Sequence, residues 1–410
     1  MYNDTMKIFE DLLWRGLVKQ VTSPEVEHLI NRGGVNFYCG FDPTADSLHI
    51  GSLMPLITMK RLQMAGNNPI CLLGGFTGSI GDPSFKSQER KLLEQEVILS
   101  NSKKIEANVR QIINCEFVNN LEWFKDMNLA DFLRTVGKHI TVNEMLGKDS
   151  VKTRLDEREQ GISFTEFSYM LFQGFDFVHL CKTKGVTLQV AGSDQFGNIV
   201  IGTSLARKML GKEVFGLTSP LITKSDGTKF GKTESGNIWL DPNKTSPFDF
   251  FQFFFNVADA DVINLLKFLT FLDKDQILKL EENLLNSPEL RLPQKALATE
   301  LTKIVHGEEV LKEVLEKTES LFKKKDVSAM PVDLKISKTD IGNKTLISLL
   351  VELGLSASKT MARKDIEGKG ISINEVKILD ISKTLVESDF ISGKCLIQKG
   401  KSNKKVVEVV

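Results

Sequence analysis

The sequence predicts an α/β protein in which a parallel sheet comes first and a set of helices follows. Up to about Asp241, short β-branched or apolar runs alternate with glycine-rich turns and amphipathic segments, which is typical of βαβ units. From about Pro247 the glycines thin out and apolar residues recur at helical spacing. A chain of 410 residues with 41% hydrophobic residues is long enough for several domains. We therefore expect a parallel-sheet domain over residues 1–241 and a helical domain over 242–322.

Individual elements can be placed from the same patterns. The strand candidates in the first part are residues 35–39, 70–73 and 186–190. The helix candidates in the second part are residues 261–271, 275–285 and 292–305. A lysine-rich stretch with Pro331 and little periodicity then predicts a linker over 323–344, which leaves a small module over 345–410.

Composition narrows the class of protein. The 53 basic and 53 acidic residues cancel, so any contact with nucleic acid must come from local patches. The cysteines lack any C-x-x-C pair, which indicates a reducing compartment and no structural zinc. No run reaches the about 18 apolar residues of a membrane span. We expect a soluble, cytoplasmic protein without a membrane partner.

The first candidate site is a strand that opens into a helix. Residues 35–39 lead through a Gly/Pro/Asp turn into a segment with apolar residues at helical spacing, and Gly66 is a plausible stop. The unpaired N–H groups and the dipole at a helix start favour anions, and Gly51 allows a phosphate or base to approach the backbone. A nucleotide fits there. His49, just ahead of Gly51, taken alone is better explained as a surface or capping residue.

The second candidate is a loop with sequence TKSDGTKFGKTESGNIWLD, in which lysines alternate with glycines. Lys224, Lys229 and Lys232 supply charge, and the glycines supply mobility. Such a loop can fold over a triphosphate and stabilise the charge on departing pyrophosphate. The alternative is a solvated surface loop, which is the commoner origin of such a pattern.

Polar residues at three further places could form a pocket. Tyr169, Gln173 and Asp176 are spaced i, i+4 and i+7 in an otherwise apolar segment, so they share one helix face. That face is equally well explained as a solvent stripe or as the wall of a polar pocket. Asp82 follows a glycine-rich stretch and by itself passes for a turn residue. The run TLQVAGSDQFGN is strand, turn and helix, which puts its GSDQ residues where open α/β sheets bind ligands.

The segment YCGFDPTADSLHIGS resembles the signature of bacterial tyrosyl-tRNA synthetases, which are class I aminoacyl-tRNA synthetases. The lysine loop resembles the second class I signature, and the two occur in the expected order. The family usually ends the HIGS tetrapeptide with a second histidine, where this chain has Ser52. The resemblance implies a Rossmann-like catalytic domain over 1–241 with an inserted dimerisation segment at about 120–180. It also implies an α-helical anticodon-binding domain over 242–322 and a small α+β, αL-type RNA-binding module over 345–410.

The resemblance further implies a role for each site residue. The residues expected to bind tyrosine are Tyr38 and Asp176 at the phenol, Tyr169, Gln173 and Asp82 at the α-ammonium group, Gln195 near the carboxylate, and Asp42 nearby. The residues expected to bind ATP are Cys39, His49, Gly51, Ser52, Lys232, and, at the ribose, Gly192 and Asp194. The residues expected to assist catalysis at the phosphates are Thr44, His49, Lys86, Arg90, Lys229, Lys232 and Thr233.

The resemblance places tRNA contacts on two helices. Arg207 and Lys208 match positions that touch the acceptor stem in the family, and the C-terminal module carries a basic helix with Lys359, Arg363 and Lys364. From Thr345 onward the chain has 11 Lys or Arg against 8 Asp or Glu, a modest excess that suits phosphate contact. The alternative for both sets is an ordinary solvated helix face.

The expected reaction needs no protein nucleophile, and no Ser-His-Asp or Cys-His arrangement is apparent in the sequence. The tyrosine carboxylate attacks the α-phosphate of ATP, and a ribose hydroxyl of tRNA(Tyr) then attacks the aminoacyl-adenylate and releases AMP. Magnesium is expected with ATP, no protein-bound metal is expected, and the family resemblance implies a homodimer.

Three alternatives can be compared with this interpretation. Tryptophanyl-tRNA synthetase shares the fold and both signatures, but it is not expected to pair Tyr38 with Asp176. A non-catalytic RNA-binding relative would be favoured by loss of His49, Lys229 or Lys232, and all three are present. A Rossmann dehydrogenase lacks support because no G-x-G-x-x-G motif opens a helix after the first strand.

Overall fold

The chain forms two compact units, Met1–Leu311 and Lys312–Val410. The computed structural model describes residues 6–84, 93–156, 161–228, 230–233, 236–322, 330–374, 376–400 and 403–410. Within these ranges, no helix combines the length and the apolar character needed to cross a membrane.

The first unit contains one large sheet, a small hairpin and most of the helices. Its strands are β1 Gln20–Val21, β2 Asn36–Phe41, β3 Asn68–Leu73, β4 Glu116–Asn119, β5 Leu188–Gly192, β6 Phe215–Ser219, and the hairpin β7 Lys232–Thr233 and β8 Gly236–Asn237. Its helices are α1 Ile8–Trp14, α2 Glu25–Arg32, α3 Leu53–Met64, α4 Thr77–Ile80, α5 Gln95–Ile112, α6 Leu121–Phe124, α7 Leu129–Thr135, α8 Val142–Leu146, α9 Asp149–Asp156, α10 Phe164–Lys184, α11 Phe196–Leu210, α12 Pro247–Phe255, α13 Asp259–Leu269, α14 Lys274–Asn286 and α15 Leu292–His306. Helix α16, Glu308–Phe322, crosses the limit between the units.

The large sheet has six strands in the order β1-β6-β5-β2-β3-β4. Strands β2 to β6 pair in parallel, whereas the short edge strand β1 pairs antiparallel with β6. The three strand candidates are confirmed as β2, β3 and β5. Because the chain moves outward from β2 in one direction and returns to β5 on its other side, the loops after β2 and β5 diverge. A crevice at such a switch point is the usual ligand site of open parallel sheets.

Helix α10 carries the polar stripe predicted from the sequence, and two glycines set its distance from α11. The helix is capped by Ser163, whose side chain accepts from the Glu166 N–H, and it ends at Gly185 in the left-handed region with φ 62°. A Cβ on Gly174 would lie 2.8 Å from Leu205 Cδ1, and a Cβ on Gly202 would lie 3.0 Å from Phe177 Cδ1. A side chain at either position would displace its neighbour on the other helix, so the two glycines favour this close packing.

The three helix candidates after the sheet are confirmed as α13, α14 and α15. These helices and α12 belong to the same compact unit as the sheet. Helix α12 begins with Pro247 after Ser246, whose hydroxyl accepts from the Asp249 N–H, so its start shows the expected capping chemistry.

Besides the end of α16, the described residues of the second unit form a five-stranded sheet and two α-helices. Its strands, in the order β11-β10-β12-β13-β9, have the bounds β9 Leu334–Ile336, β10 Ile371–Ile373, β11 Val376–Lys377, β12 Lys394–Lys399 and β13 Asn403–Val409. Its helices are α17 Leu346–Glu352 and α18 Lys359–Glu367. Both helices bury apolar side chains in a core shared with the sheet.

The predicted linker over 323–344 is wrong for part of its length. Residues Leu334 and Ile336 pair in parallel with Val407 and Val409 at the end of the chain, so β9 is a strand of the C-terminal sheet. A strand this short has too few residues for a periodic pattern, and its partner lies far away in sequence. Residues 323–329 lie outside the described ranges.

Candidate active site

A cavity of about 720 Å³ opens at the carboxyl ends of β2 and β5, where the strand order reverses. Its volume lies in the range usual for small-molecule sites. The residues that the sequence assigned to a site and that line this cavity are Tyr38, Cys39, Asp42, Thr44, His49, Gly51, Ser52, Asp82, Tyr169, Gln173, Asp176, Gly192, Asp194 and Gln195. Folding therefore brings together residues from four separate parts of the chain. Of the two explanations for the α10 stripe, the pocket wall is the one found.

Asp176 forms the buried inner end of the cavity. Its Oδ1 accepts from Trp123 Nε1 at 2.9 Å, and its Oδ2 accepts from Asn120 Nδ2 at 3.1 Å. Burial raises the pKa of this carboxyl well above its usual value, and the nearby charge of Asp42 adds to the rise, whereas the two donated hydrogen bonds oppose it. The result is a carboxyl group held in one orientation at the closed end of a small-molecule site.

Tyr38 faces the same inner end from strand β2. It is fully buried, and its ring packs edge-on against Phe177 with centroids 5.3 Å apart. Among the described residues, its hydroxyl has no hydrogen-bond partner. Burial first, and then the charge of Asp176, raises the pKa of Tyr38, so the hydroxyl keeps its proton at neutral pH. It can therefore donate a hydrogen bond to a ligand.

Asp42, just after β2, is the centre of a second group of hydrogen bonds. It accepts from Thr77 Oγ1 at 2.7 Å and from Tyr169 Oη at 2.7 Å. Asn120 donates to the same threonine at 2.9 Å, which links this group to Asp176. Burial and the charge of Asp42 raise the pKa of Tyr169, so its O–H is committed to Asp42 and its oxygen remains an acceptor.

Another part of the cavity lining is a hydrogen-bonded network of amide and carboxylate side chains. Gln195 Nε2 donates to Asp82 at 2.7 Å and to Asp194 at 3.1 Å. Asn198 Nδ2 donates at 3.0 Å to both Gln173 Oε1 and Gln195 Oε1, which fixes the orientation of the two glutamines. With Asp42 and Asp176 also present, the described lining carries carboxylic acids and no lysine or arginine. Such a site attracts an ammonium group.

The outer part of the cavity is built on the start of α3. His49 Nδ1 accepts from the Gly51 N–H at 3.0 Å and caps the short 3-10 turn Ile50–Ser52 that leads into the helix. A Cβ on Gly51 would lie 2.7 Å from His49 Cε1, so a larger residue here would displace the His49 ring from its capping position. His49 is thus a capping residue, as the simpler explanation held, and it also lines the cavity.

The two signature segments are paired directly with each other. The Ile50 N–H donates to the Ile238 carbonyl at 3.1 Å, and the Leu240 N–H donates to the Leu48 carbonyl at 2.9 Å. Gly231, with φ 88°, lies against Ile50. The described part of the lysine loop is therefore held at the mouth of the cavity, where Gly227, Phe230 and Gly231 contribute to the lining.

Five side chains predicted to act at the phosphates lie outside the part of the chain that the structure describes. Lys86, Arg90 and Lys229 lie outside the described residues. The backbones of Lys232 and Thr233 form strand β7, and the positions of their side chains are likewise outside the description.

The residues predicted to bind tRNA lie on exposed helix faces. Arg207 and Lys208 are on α11, where Lys208 Nζ pairs with Glu144 at 3.1 Å and donates to the His139 carbonyl at 2.8 Å. Lys359, Arg363 and Lys364 are on the exposed face of α18, whose Ala362 and Ile366 are buried.

Sequence reasoning missed the residues that orient the pocket: Thr77, Asn120, Trp123 and Asn198. Asn120 follows β4 at the carboxyl end of the sheet, so the rule that ligands bind at these strand ends could have singled it out. Trp123 is one of only three tryptophans. Asn198 closes the run TLQVAGSDQFGN and Thr77 lies in the glycine-rich stretch before Asp82, but no pattern in the sequence assigns either side chain a role in the site.

The parallel sheet, its switch-point cavity and the paired signature segments define a class I aminoacyl-tRNA synthetase. Residues 31–323 match the family model described as tRNA synthetases class I (W and Y). Residues 326–407 match the tyrosine–tRNA ligase SYY-like C-terminal domain. Both matches agree with the two compact parts of the fold.

Full-length relatives narrow the class further. The chain is 45% identical over 413 residues to a tyrosine–tRNA ligase of Bacillus caldotenax, covering 97% of this chain and 98% of that one. It is 46% identical over 415 residues to one of Aliivibrio fischeri, covering 97% of each. Its fold resembles a C-terminally truncated mitochondrial tyrosyl-tRNA synthetase of Aspergillus nidulans, with TM-score 0.70 and 30% identity over 78% of this chain and 95% of that one. The chain belongs to the tyrosine–tRNA ligase family. Its activity is the ATP-dependent attachment of tyrosine to tRNA.

Proposed function

We propose that this single cavity carries out both steps of tyrosine attachment through the residues that line it. In the first step, an oxygen of the tyrosine carboxylate attacks the α-phosphorus of ATP and pyrophosphate leaves. In the second, the 3′-terminal ribose hydroxyl of tRNA(Tyr) attacks the adenylate carbonyl and AMP leaves. The observation that carries this proposal is the inner end of the cavity, where the buried Tyr38 hydroxyl and the Asp176 carboxyl face the same space.

The inner end is assigned to the phenol of tyrosine. Asp176 accepts the phenol hydrogen, and Tyr38 donates to the phenol oxygen. Phenylalanine would leave the buried Tyr38 hydroxyl without a partner and one acceptor position of Asp176 unfilled, which costs more than the lost hydrogen bonds themselves. Selection for tyrosine therefore follows from two polar groups placed in an apolar surrounding.

The carboxylate-rich middle of the cavity is assigned to the α-ammonium group. Tyr169, Gln173 and Asp82 bind it, with Asp42 behind Tyr169. An ammonium group has three donors, and the oxygens of these three side chains are acceptors. Gln195, which spans Asp82 and Asp194, lies near the substrate carboxylate.

The outer cavity is assigned to ATP. The residues that we assign to the base, ribose and phosphates are Cys39, Thr44, His49, Gly51, Ser52, Gly192 and Asp194. The residues that we assign to the leaving pyrophosphate, on the family resemblance, are Lys86, Arg90, Lys229, Lys232 and Thr233. Magnesium enters with ATP, and we assign no protein ligand to it. The rate enhancement then arises from positioning and charge stabilisation.

Transfer RNA is assigned to the exposed cationic residues. Arg207 and Lys208 contact the acceptor stem, the helical domain over 242–322 binds the anticodon, and α18 belongs to an αL-type RNA-binding module. Replacing Lys359 and Arg363 with glutamine should weaken tRNA binding and flatten its salt dependence, because each phosphate contact releases counterions. Pyrophosphate exchange without tRNA should not change.

We also assign a homodimer to this chain and place it in the cytoplasm. The segment over 120–180 exposes the large apolar side chains of Leu129, Leu133, Val142, Leu146 and Phe164, of which Phe164 is 77% exposed. Large apolar side chains exposed along one segment suit a protein interface. Sedimentation analysis should show a dimer that Phe164→Glu weakens. The free thiols, most of them buried, suit a reducing cytoplasm.

Amino-acid-dependent ATP–pyrophosphate exchange tests the central proposal. Each of the twenty amino acids is offered to the purified protein and to its Asp176→Ala and Lys232→Ala variants. Exchange with tyrosine alone, reduced in both variants, is the expected result. The exposed Asp275→Ala serves as the matched control and should leave exchange unchanged. Exchange that survives unchanged in Asp176→Ala would overturn the assignment of the inner end.

A further inference from the structure

Gln189 is a buried polar residue that lines the cavity, and none of the functions proposed so far involves it. It lies on β5 with 2% of its surface exposed, and it contributes to the cavity lining. Its register partner on β2 is Tyr38. Side chains of register partners point to the same face of a sheet, so the glutamine amide and the tyrosine ring stand side by side.

These two register partners each carry a polar atom that lacks a hydrogen-bond partner among the described residues. Within the part of the chain that the structure describes, neither Tyr38 Oη nor Gln189 Oε1 has a hydrogen-bond partner. On its other side, Gln189 is paired with Gly216, which offers no side chain. Buried polar groups in folded proteins are almost always paired, so two exceptions on register partners that line one cavity indicate a ligand that pairs them.

The chemistry of the surrounding groups limits what this ligand is. Asp176, on the facing helix, already accepts from Asn120 and Trp123 and retains capacity to accept once more. Tyr38 offers an O–H donor, and the Gln189 amide offers both a donor and an acceptor. Together they suit a group that both donates and accepts, as a hydroxyl does, and the proposed function makes this the ring hydroxyl of tyrosine.

We propose that Gln189 is a specificity-determining residue that, with Tyr38 and Asp176, makes binding depend on a ring hydroxyl in the ligand. This inference rests on the proposed function, since it concerns the same inner end of the cavity. The amide of Gln189, and not the volume of its side chain, then contributes to discrimination between tyrosine and phenylalanine.

The test compares two amines that differ only in the hydroxyl, tyramine and β-phenethylamine, as competitive inhibitors against tyrosine in pyrophosphate exchange. Gln189→Met preserves length and volume but removes the amide. We expect Ki for tyramine to rise about tenfold, since a buried polar partner is lost, with Ki for β-phenethylamine and KM for ATP unchanged. The ratio of Ki for β-phenethylamine to Ki for tyramine, which measures the preference for the hydroxyl, therefore falls about tenfold.

Gln294→Met is the matched control. Gln294 is fully buried and also has an unpartnered Oε1 among the described residues, but it does not line the cavity. Its replacement should change stability and leave the Ki ratio intact. If Gln189→Met does not fold, Gln189→Asn withdraws the amide by one methylene and should shift the ratio in the same direction.

Two results would overturn the inference. An equal rise in both Ki values would show that Gln189 only fills space, and no change in either would show that the amide contacts nothing. A failure of the proposed function looks different, because the unmodified protein would then show no exchange with tyrosine. Calorimetric titration of both amines into the same variants would still test Gln189 in that case.

Discussion

The indole N–H of Trp123 donates to Oδ1 of Asp176 over 2.9 Å at the closed end of the cavity. The indole is itself held by stacking on His179, with ring centroids 4.3 Å apart. Asn120 occupies the other carboxylate oxygen. Asp176 is therefore fixed in orientation by groups that contact it from outside the cavity, and these groups should matter to tyrosine binding without contacting tyrosine.

Trp123→Phe should raise KM for tyrosine about tenfold, because a hydrogen bond to a buried carboxyl group is lost and its orientation is no longer fixed. The KM for ATP should not change. Pyrophosphate exchange at varied tyrosine and varied ATP measures both constants. Trp14→Phe is the control, since Trp14 does not line the cavity. A parallel rise in both KM values would instead indicate a general disturbance of the fold.

Gly74→Ala should reduce kcat/KM for tyrosine about a hundredfold. A Cβ at this position would lie 2.0 Å from Asp42 Oδ1, so the carboxylate must move and lose its bonds from Thr77 and Tyr169. Two hydrogen bonds to a charged acceptor together correspond to about 3 kcal/mol. Gly197→Ala is the matched control, because its Cβ would meet Lys148 only at an ordinary 3.6 Å. Equal activity in the two variants would contradict the role of Asp42.

Asp11→Ala should lower the free energy of unfolding by about 3–5 kcal/mol. The Asp11 carboxylate is buried and accepts from Arg15 Nε at 2.8 Å and from Arg61 Nη1 at 3.2 Å. Arg15 also donates to the Leu272 carbonyl at 2.7 Å, so removal of the carboxylate leaves two guanidinium groups buried between α1, α3 and the loop after α13. Urea unfolding followed by circular dichroism measures the change.

An exposed ion pair provides the comparison for Asp11. Lys104 pairs with Asp46 at 3.3 Å, with 53% of the lysine side chain exposed. Lys104→Met should change the free energy of unfolding by less than about 1 kcal/mol. If the two substitutions had similar effects, burial would not be the reason for the stability of the Asp11 cluster.

Stability should fall in acid because of His306. Burial lowers the pKa of this histidine to about 4, whereas the unfolded chain titrates near its ordinary value of about 6.5. The unfolded state therefore binds more protons between these values, and stability is lost as the pH falls from about 6.5 to about 4. His306→Phe, which suits the edge-on contact with Phe250, should flatten this part of the profile.

Urea midpoints at several pH values between 4 and 8 measure the effect of His306. The exposed His28→Phe is the control and should retain the acid-dependent fall of the original chain. An unchanged slope in His306→Phe would show that other groups cause the loss of stability.

The sequence predicted structure most reliably where a local pattern of residues alone determines the element. Strands β2, β3 and β5 are runs of apolar residues, and Tyr169, Gln173 and Asp176 share a face because helical geometry alone puts them there. The two family signatures also contain many of the residues that line the cavity. Strand β9 was missed because three residues carry no period, and its existence depends on pairing with β13.

Local periodicity and contiguous motifs were enough to predict the main elements, their order, the family and many of the residues that face the cavity. The groups that orient those residues came to light only in the folded chain. The bonds from Trp123 and Asn120 to Asp176, and the meeting of Tyr38 with Gln189, join segments far apart in the chain. Such contacts are set by the packing of strands and helices against one another, and hydrogen-bond partners across a core leave no periodic trace along the chain.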